Sequence, residues 1–126
     1  VGELLKRYAL GGRNFQNADL REANLEGVNL QNANLIGSNL REANLKNAQL
    51  NGAKLIVADL TQADLTGASL RKAKLMGAMF QRAKLNNADL SGADLSDADL
   101  SHANLVGAKL LDANFTSALK FKDVVN

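Results

Sequence analysis

The sequence predicts an all-β solenoid: a four-sided parallel β-helix of about five coils with a short N-terminal capping helix. Three observations carry this. From Phe15 to Phe115 every fifth residue is Leu or Phe, 21 in a row, and from Leu20 onward Ala stands two residues before each, broken only by Val28 and Ser38. The residues two places after each Leu repeat in columns of period 20, one reading Gly27, Asn47, Gly67, Asn87, Gly107 and the next Glu22, Glu42, Gln62, Arg82, His102. Finally, the 126 residues include no Pro, as a chain that needs nearly every N–H for a hydrogen-bond ladder should.

The unit is Ala-(Asn/Asp)-Leu-x-x, and no straight element accommodates its period. On an α-helix a five-residue step turns by about 140° and scatters the leucines over every face. On a continuous strand an odd step sends successive leucines to opposite faces. Within one unit, Ala and Leu are two apart and share a face when the backbone is extended. A short extended side, a corner of about 90° and a further side resolve the conflict, and four sides close a square coil of roughly 20 residues. Coils stack through parallel hydrogen bonds at about 4.8 Å, giving a rod about 25 Å long. Leu fills the interior, and Ala keeps each side from overfilling it. Gly and Asn tolerate positive φ, so the Gly27 column is expected at a corner that uses it and the Glu22 column at a corner that does not.

Both ends of such a rod expose backbone edges and apolar side chains. Residues 1–12 are expected to form the N-terminal cap: a helix over Glu3–Leu10 stopped by Gly11-Gly12, with Leu4, Leu5 and Tyr8 turned onto the first coil. Glu3 near its start and Lys6 and Arg7 near its end suit the helix dipole. Residues 13–118 form the repeat body. Lys120 falls where Leu is due, so residues 119–126 are either a small cap or a self-associating end. A stacked coil cannot stand alone and is stabilised by its neighbours.

Composition limits the function. Cys is absent, which excludes disulfides and thiolate metal sites. The formal net charge of +2 points neither to nucleic acid nor to an acidic mimic. No apolar run reaches the length of a membrane span, and the cytoplasm is the default location. The chain begins at Val1, so a trimmed targeting segment stays compatible with the sequence.

Residues 13–117 resemble the pentapeptide-repeat family. The opening Val1-Gly-Glu-Leu-Leu-Lys-Arg-Tyr-Ala-Leu-Gly-Gly-Arg-Asn-Phe15 is similar to the N-terminal cap of cyanobacterial members, among them a regulator of heterocyst differentiation. The resemblance implies a right-handed quadrilateral β-helix and a non-enzymatic, protein-binding role. Some members mimic DNA and inhibit topoisomerases through a strongly negative surface; 15 basic against 13 acidic residues argue against that here.

No residue set points to catalysis, a cofactor or a metal. His102 is the only His and stands at a corner without an evident co-ligand. Asp89, Asp94, Asp97 and Asp99 fall on different sides or corners, and Ser91, Ser96 and Ser101 are explained by turn chemistry. Leu20-Arg-Glu-Ala-Asn-Leu25 recurs as Leu40-Arg-Glu-Ala-Asn-Leu45, an arrangement with like charges stacked and diagonal pairing available. Arg71, Lys72, Lys74, Arg82 and Lys84 make a basic run within one coil: either a solvated face paired axially with acids, or a phosphate-binding patch, the latter weakened by the lack of interleaved aromatics. Ile36, Ile56 and Met76 share the outward column after Leu, with Val57 and Met79 near the same corner. A contiguous apolar stripe marks an interaction surface, so these five are the candidate contact for a protein partner or a second copy; the alternative is a ladder that stiffens the rod. The leading expectation is a scaffolding or regulatory protein-binding module, and the second is an element that self-associates through its ends.

Overall fold

The computed structural model describes residues 1–121. The chain winds as a stack of coils joined by isolated parallel bridges, each between residues 20 apart, from Asn14–Asn34 to Asp99–Leu119. Except for Leu119, the bridging residue precedes the inward Leu or Phe, so each side contributes one ladder residue and no longer strand forms. Five-residue steps and a 20-residue ladder give four sides per coil. The first side carries Phe15, Leu35, Leu55, Leu75, Leu95 and Phe115, the second Leu20 through Leu100, the third Leu25 through Leu105 and the fourth Leu30 through Leu110. These side chains fill the interior; from Leu25 to Leu100 each is essentially inaccessible, as are the Ala residues beside them from Ala33 to Ala98.

One repeat shows how the backbone is satisfied. The Leu55 N–H donates to the Lys74 carbonyl at 2.7 Å, and Val57 N–H to Met76 at 2.9 Å in the following coil. Lys54 N–H donates back to Ala33 at 2.9 Å, and Ala58 N–H closes the turn onto Leu55 at 3.0 Å. One N–H per repeat, on the residue after Leu, is left outside the ladder. Here the Asn or Asp of the repeat acts: its Oδ1 accepts that N–H, as Asn34 does from Ile36 at 3.2 Å and Asp94 from Ser96 at 2.9 Å. Where the middle residue of the unit is Asn or Asp, it forms an Asx turn that completes the corner.

The corners correct the sequence expectation. From Asn17 to Ser117 every residue two after Leu has positive φ, including Glu22, Glu42, Gln62, Arg82 and His102 at 57–59°. Positive φ at the third residue alone, with the Ala-to-Leu hydrogen bond, is a type II turn. Stacking in register requires the same turn at every corner, so composition varies without changing geometry. The Gly–Asn alternation has a steric origin instead. The Oδ1 of Asn47 lies where a Cβ on Gly67 would stand, and Asn87 meets Gly107 in the same way.

At the N-terminal end α1 (Gly2–Ala9) buries Leu4 and rests Leu5 and Tyr8 against the interior cluster. Glu3 lies in its first turn and Lys6 and Arg7 in its last. Gly12 N–H reaches Arg7 O and Gly11 N–H reaches Tyr8 O, with Gly11 at φ 98°. This is a Schellman stop, which needs Gly at that position. The Tyr8 hydroxyl donates to the Gln31 carbonyl at 2.8 Å and an Arg7 N–H to Asn14 O at 3.2 Å, so two first-coil carbonyls with no preceding coil are met by α1. At the other end the ladder persists through Leu119 although the Leu column stops at Phe115. Phe121 stacks on Phe115 with ring centroids 3.9 Å apart. The expectation for 119–126 falls largely on residues 122–126, outside those described.

Candidate functional site

The apolar stripe lies along the corner between the first and second sides. Ile36, Ile56 and Met76 occupy equivalent places in successive coils and are half-buried rather than fully outward. Val57 projects further, at 56% exposure. Met79 is around the corner in the middle of the second side, bridged to Asp59 and Asp99 and 37% exposed. The five residues therefore wrap one edge of the rod.

Val57 is the anomaly among them. Its φ is 50°, a left-handed conformation that a β-branched side chain adopts at a cost of about 1–2 kcal/mol. It is the one β-branched residue at a corner position among the described residues. Its Cγ1 lies over Gly77, whose lack of a Cβ leaves room for it.

Beside this edge, the middle of the first side reads Asn14, Asn34, Lys54, Lys74, Asp94, Asn114. Lys54 and Lys74 break the Asx pattern in two consecutive coils. The Ile36 and Ser96 N–H groups are capped, whereas those of Ile56 and Met76 have no acceptor among the described residues. Gaps also occur after Gln49, Met79, Lys84 and Lys109, Gln49 preceding Lys54 and Met79 and Lys84 following Lys74 around the coil; among the described residues Lys54 and Lys74 are the one pair stacked along the axis. Lys54, Lys72 and Lys74 are exposed and have no carboxylate within ion-pair distance among the described residues. Lys54 and the two open amides escaped the sequence reading, though the missing Asn or Asp at 54 and 74 was the available signal.

The basic run does not converge. Lys74 sits on the first side, with Arg71 and Lys72 at the corner leading into it, whereas Lys84 sits on the third side and Arg82 at the corner before it. Ten residues are half a coil, so the run is split across the square. Arg71 pairs with Asp89 of the next coil at 3.2 Å, as Arg41 does with Asp59, which is the axial pairing expected of a solvated face. Arg21 instead pairs within its own repeat, with Asp19 at 3.1 Å.

The acidic residues serve the fold. Asp89, Asp94 and Asp99 cap the N–H groups of Ser91, Ser96 and Ser101 on three different sides, and Asp97 lies exposed at a corner. Partial burial works against ionisation of Asp59, Asp64 and Asp99. Hydrogen bonds from the hydroxyl and N–H of Thr61, Thr66 and Ser101 outweigh it and hold all three below the ordinary carboxylate value. Asp89 is held low by Ser91 first and then by Arg71. His102 is exposed at its corner.

The profile for pentapeptide repeats (8 copies) matches residues 18–55, 56–92 and 93–122. The chain belongs to the pentapeptide repeat family. A pentapeptide repeat protein from the cyanobacterium Cyanothece 51142 is 28% identical, with 94% of this chain and 93% of that one covered at a TM-score of 0.88. One from Nostoc Pcc 7120 is 37% identical, covering 86% and 93% at 0.77. HetL of Nostoc sp. strain PCC 7120, a pentapeptide repeat protein involved in heterocyst differentiation regulation, is also similar, at 26% identity over 94% of each chain with a TM-score of 0.29. No curated protein matches the chain. Membership and these two high-scoring neighbours make the fold a right-handed quadrilateral β-helix. Pentapeptide repeat proteins are generally non-catalytic. Among the described residues no helix is long and apolar enough to cross a membrane.

Proposed function

We propose that this pentapeptide repeat protein is a non-enzymatic scaffolding or regulatory module, a rod of about five coils closed at one end by α1, that binds a protein partner along the edge formed by Ile36, Ile56, Val57, Met76 and Met79. The observation that carries this is Val57: an apolar, β-branched side chain held exposed in a conformation it disfavours. Folding alone gives no reason for it, since Asn or Gly fills most equivalent positions on that corner. A strained, exposed apolar residue beside a half-buried apolar column fits a contact surface better than a stiffening ladder.

The test is an affinity capture from native lysate with the wild-type rod and with Ile56→Lys/Met76→Lys. The reading expects a specific protein retained by the wild type and lost by the variant, whose fold is unchanged by circular dichroism. Equal capture by both would remove the edge from the proposal.

A second reading, self-association through the rod end, is favoured by one observation. Val106, Leu111 and Leu119, in the last described coil, are 70%, 75% and 58% exposed. Removal of residues 119–126 would then abolish self-association in sedimentation and leave edge binding intact.

A further inference from the structure

We infer that the middle of the first side is a carboxylate-binding site, and that the partner is an acidic protein segment whose apolar side chains lie on the neighbouring edge. The inference rests on the edge-binding reading and names the chemistry of its partner.

The argument starts from the hydrogen-bond pattern. In this fold the N–H after each Leu or Phe points to a place on the outer face where a carboxamide or carboxylate oxygen of the preceding Asn or Asp normally sits. Asn34 and Asp94 supply that oxygen in the flanking coils. At Ile56 and Met76 it is missing, and the two open amides are one coil apart, about 4.8 Å. The ladder does not serve them: the Val57 and Gly77 N–H groups and the Ile56 and Met76 carbonyls are engaged with adjoining coils, and the Leu55 and Leu75 carbonyls close their own turns.

The oxygen need not come from the same repeat. Ser69 also breaks the Asx pattern, and there Asn51, one coil away, accepts the Arg71 N–H at 2.9 Å. An oxygen brought by another molecule could serve Ile56 and Met76 in the same way. The flanking groups select its charge. Lys54 and Lys74 occupy the very places of the missing caps, and Lys72 stands at the adjoining corner, all three exposed and unpaired among the described residues. Two open N–H donors between ammonium groups form a receptor for carboxylates, with charge-assisted hydrogen bonds stronger than neutral ones. Ile56, Val57 and Met76 lie immediately beside it, so a free anion would use only half of the surface. An amphipathic acidic segment would use all of it.

The test uses the full chain, labelled with 15N, and a fluorescein-labelled helical peptide with Glu at positions i and i+4 and Leu at i+3 and i+7. A counterpart with Gln for Glu and inorganic phosphate serve as comparison ligands. The peptide is expected to shift the Ile56 and Met76 amide resonances more than those of Ile36 and Ser96, and the Gln peptide to bind at least tenfold more weakly. Lys54→Asn/Lys74→Asn installs the missing caps and should abolish binding with no loss of melting temperature. Lys54→Gln/Lys74→Gln removes the charges but leaves the amides open, as Gln49 leaves the Asn51 N–H without an acceptor among the described residues; it should bind at an intermediate level. The inference is overturned if the two amides do not move, if the Asn and Gln variants lose binding equally, or if phosphate alone reproduces the shifts and the peptide adds no affinity. Should the peptide fail while lysate capture still depends on Ile56 and Met76, the edge reading stands and only the carboxylate site is lost.

Discussion

The coils around Leu35 and Leu95 and those around Leu55 and Leu75 share one interior and are set apart by the outside of the first side, where both members of each pair agree. All four leucines are buried, their N–H groups meet the next coil at 2.7–2.8 Å, and their turns close at 3.0 Å. Outside, the first pair carries Asx caps and the second carries lysines, uncapped amides and, at Val57, a strained apolar corner. The ladder and the interior together hold the corner in place, so the cap is a contribution to the coil and not a condition for it. Surface chemistry can therefore change without disturbing the backbone that presents it.

The largest effect should ignore the difference. Leu55→Ala and Leu95→Ala are each expected to lose about 3–5 kcal/mol in denaturant unfolding, and clearly unequal losses would show that the middle coils are packed differently after all. Val57→Asn comes next. It relieves the left-handed strain and reproduces the Asn-under-Gly arrangement of Asn17 and Gly37, so stability should rise by about 1–2 kcal/mol while partner capture falls. A drop in melting temperature would mean that Val57 is needed for packing.

Smaller changes sharpen the contrast. Asn34→Ala should cost about 1 kcal/mol through the lost hydrogen bond to Ile36, whereas Lys54→Ala, which removes no such bond, should cost close to nothing by thermal melting. The smallest effect concerns acid. Asp59, Asp64, Asp89 and Asp99 have carboxyls held below their ordinary value of 3.8 in the folded state. Their contribution is complete above that value and is lost as pH falls through the lowered values, because protonation is then easier in the unfolded chain. The melting temperature should decline as the pH drops below about 4. Asn at all four positions, which keeps the capping oxygen but cannot titrate, should flatten that decline, and an unchanged slope would assign the acid sensitivity elsewhere.

Much of this was legible in the residues. The run of Leu and Phe specified the interior, the failure of every straight element at period five required a coil, and Gly11-Gly12 marked the end of α1. The corners were not legible in the same way. Glu22 and His102 favour other conformations on their own, and positive φ is imposed on them by coils stacking in register above and below. The site was partly legible: Ile36, Ile56, Val57 and Met76 do share one edge, but Arg82 and Lys84 lie across the square from Lys74.

The sequence by itself determined the repeat, the four-sided coil and the buried column, because a five-residue hydrophobic period has few solutions once the backbone must be satisfied. Only the tertiary structure decided how each corner turns, what the Asn or Asp of the repeat is for, and where Ile56 and Met76 are left open. Those depend on hydrogen bonds between residues about 20 positions apart or across a turn, and an unused donor is recognisable only after every other donor has been assigned a partner.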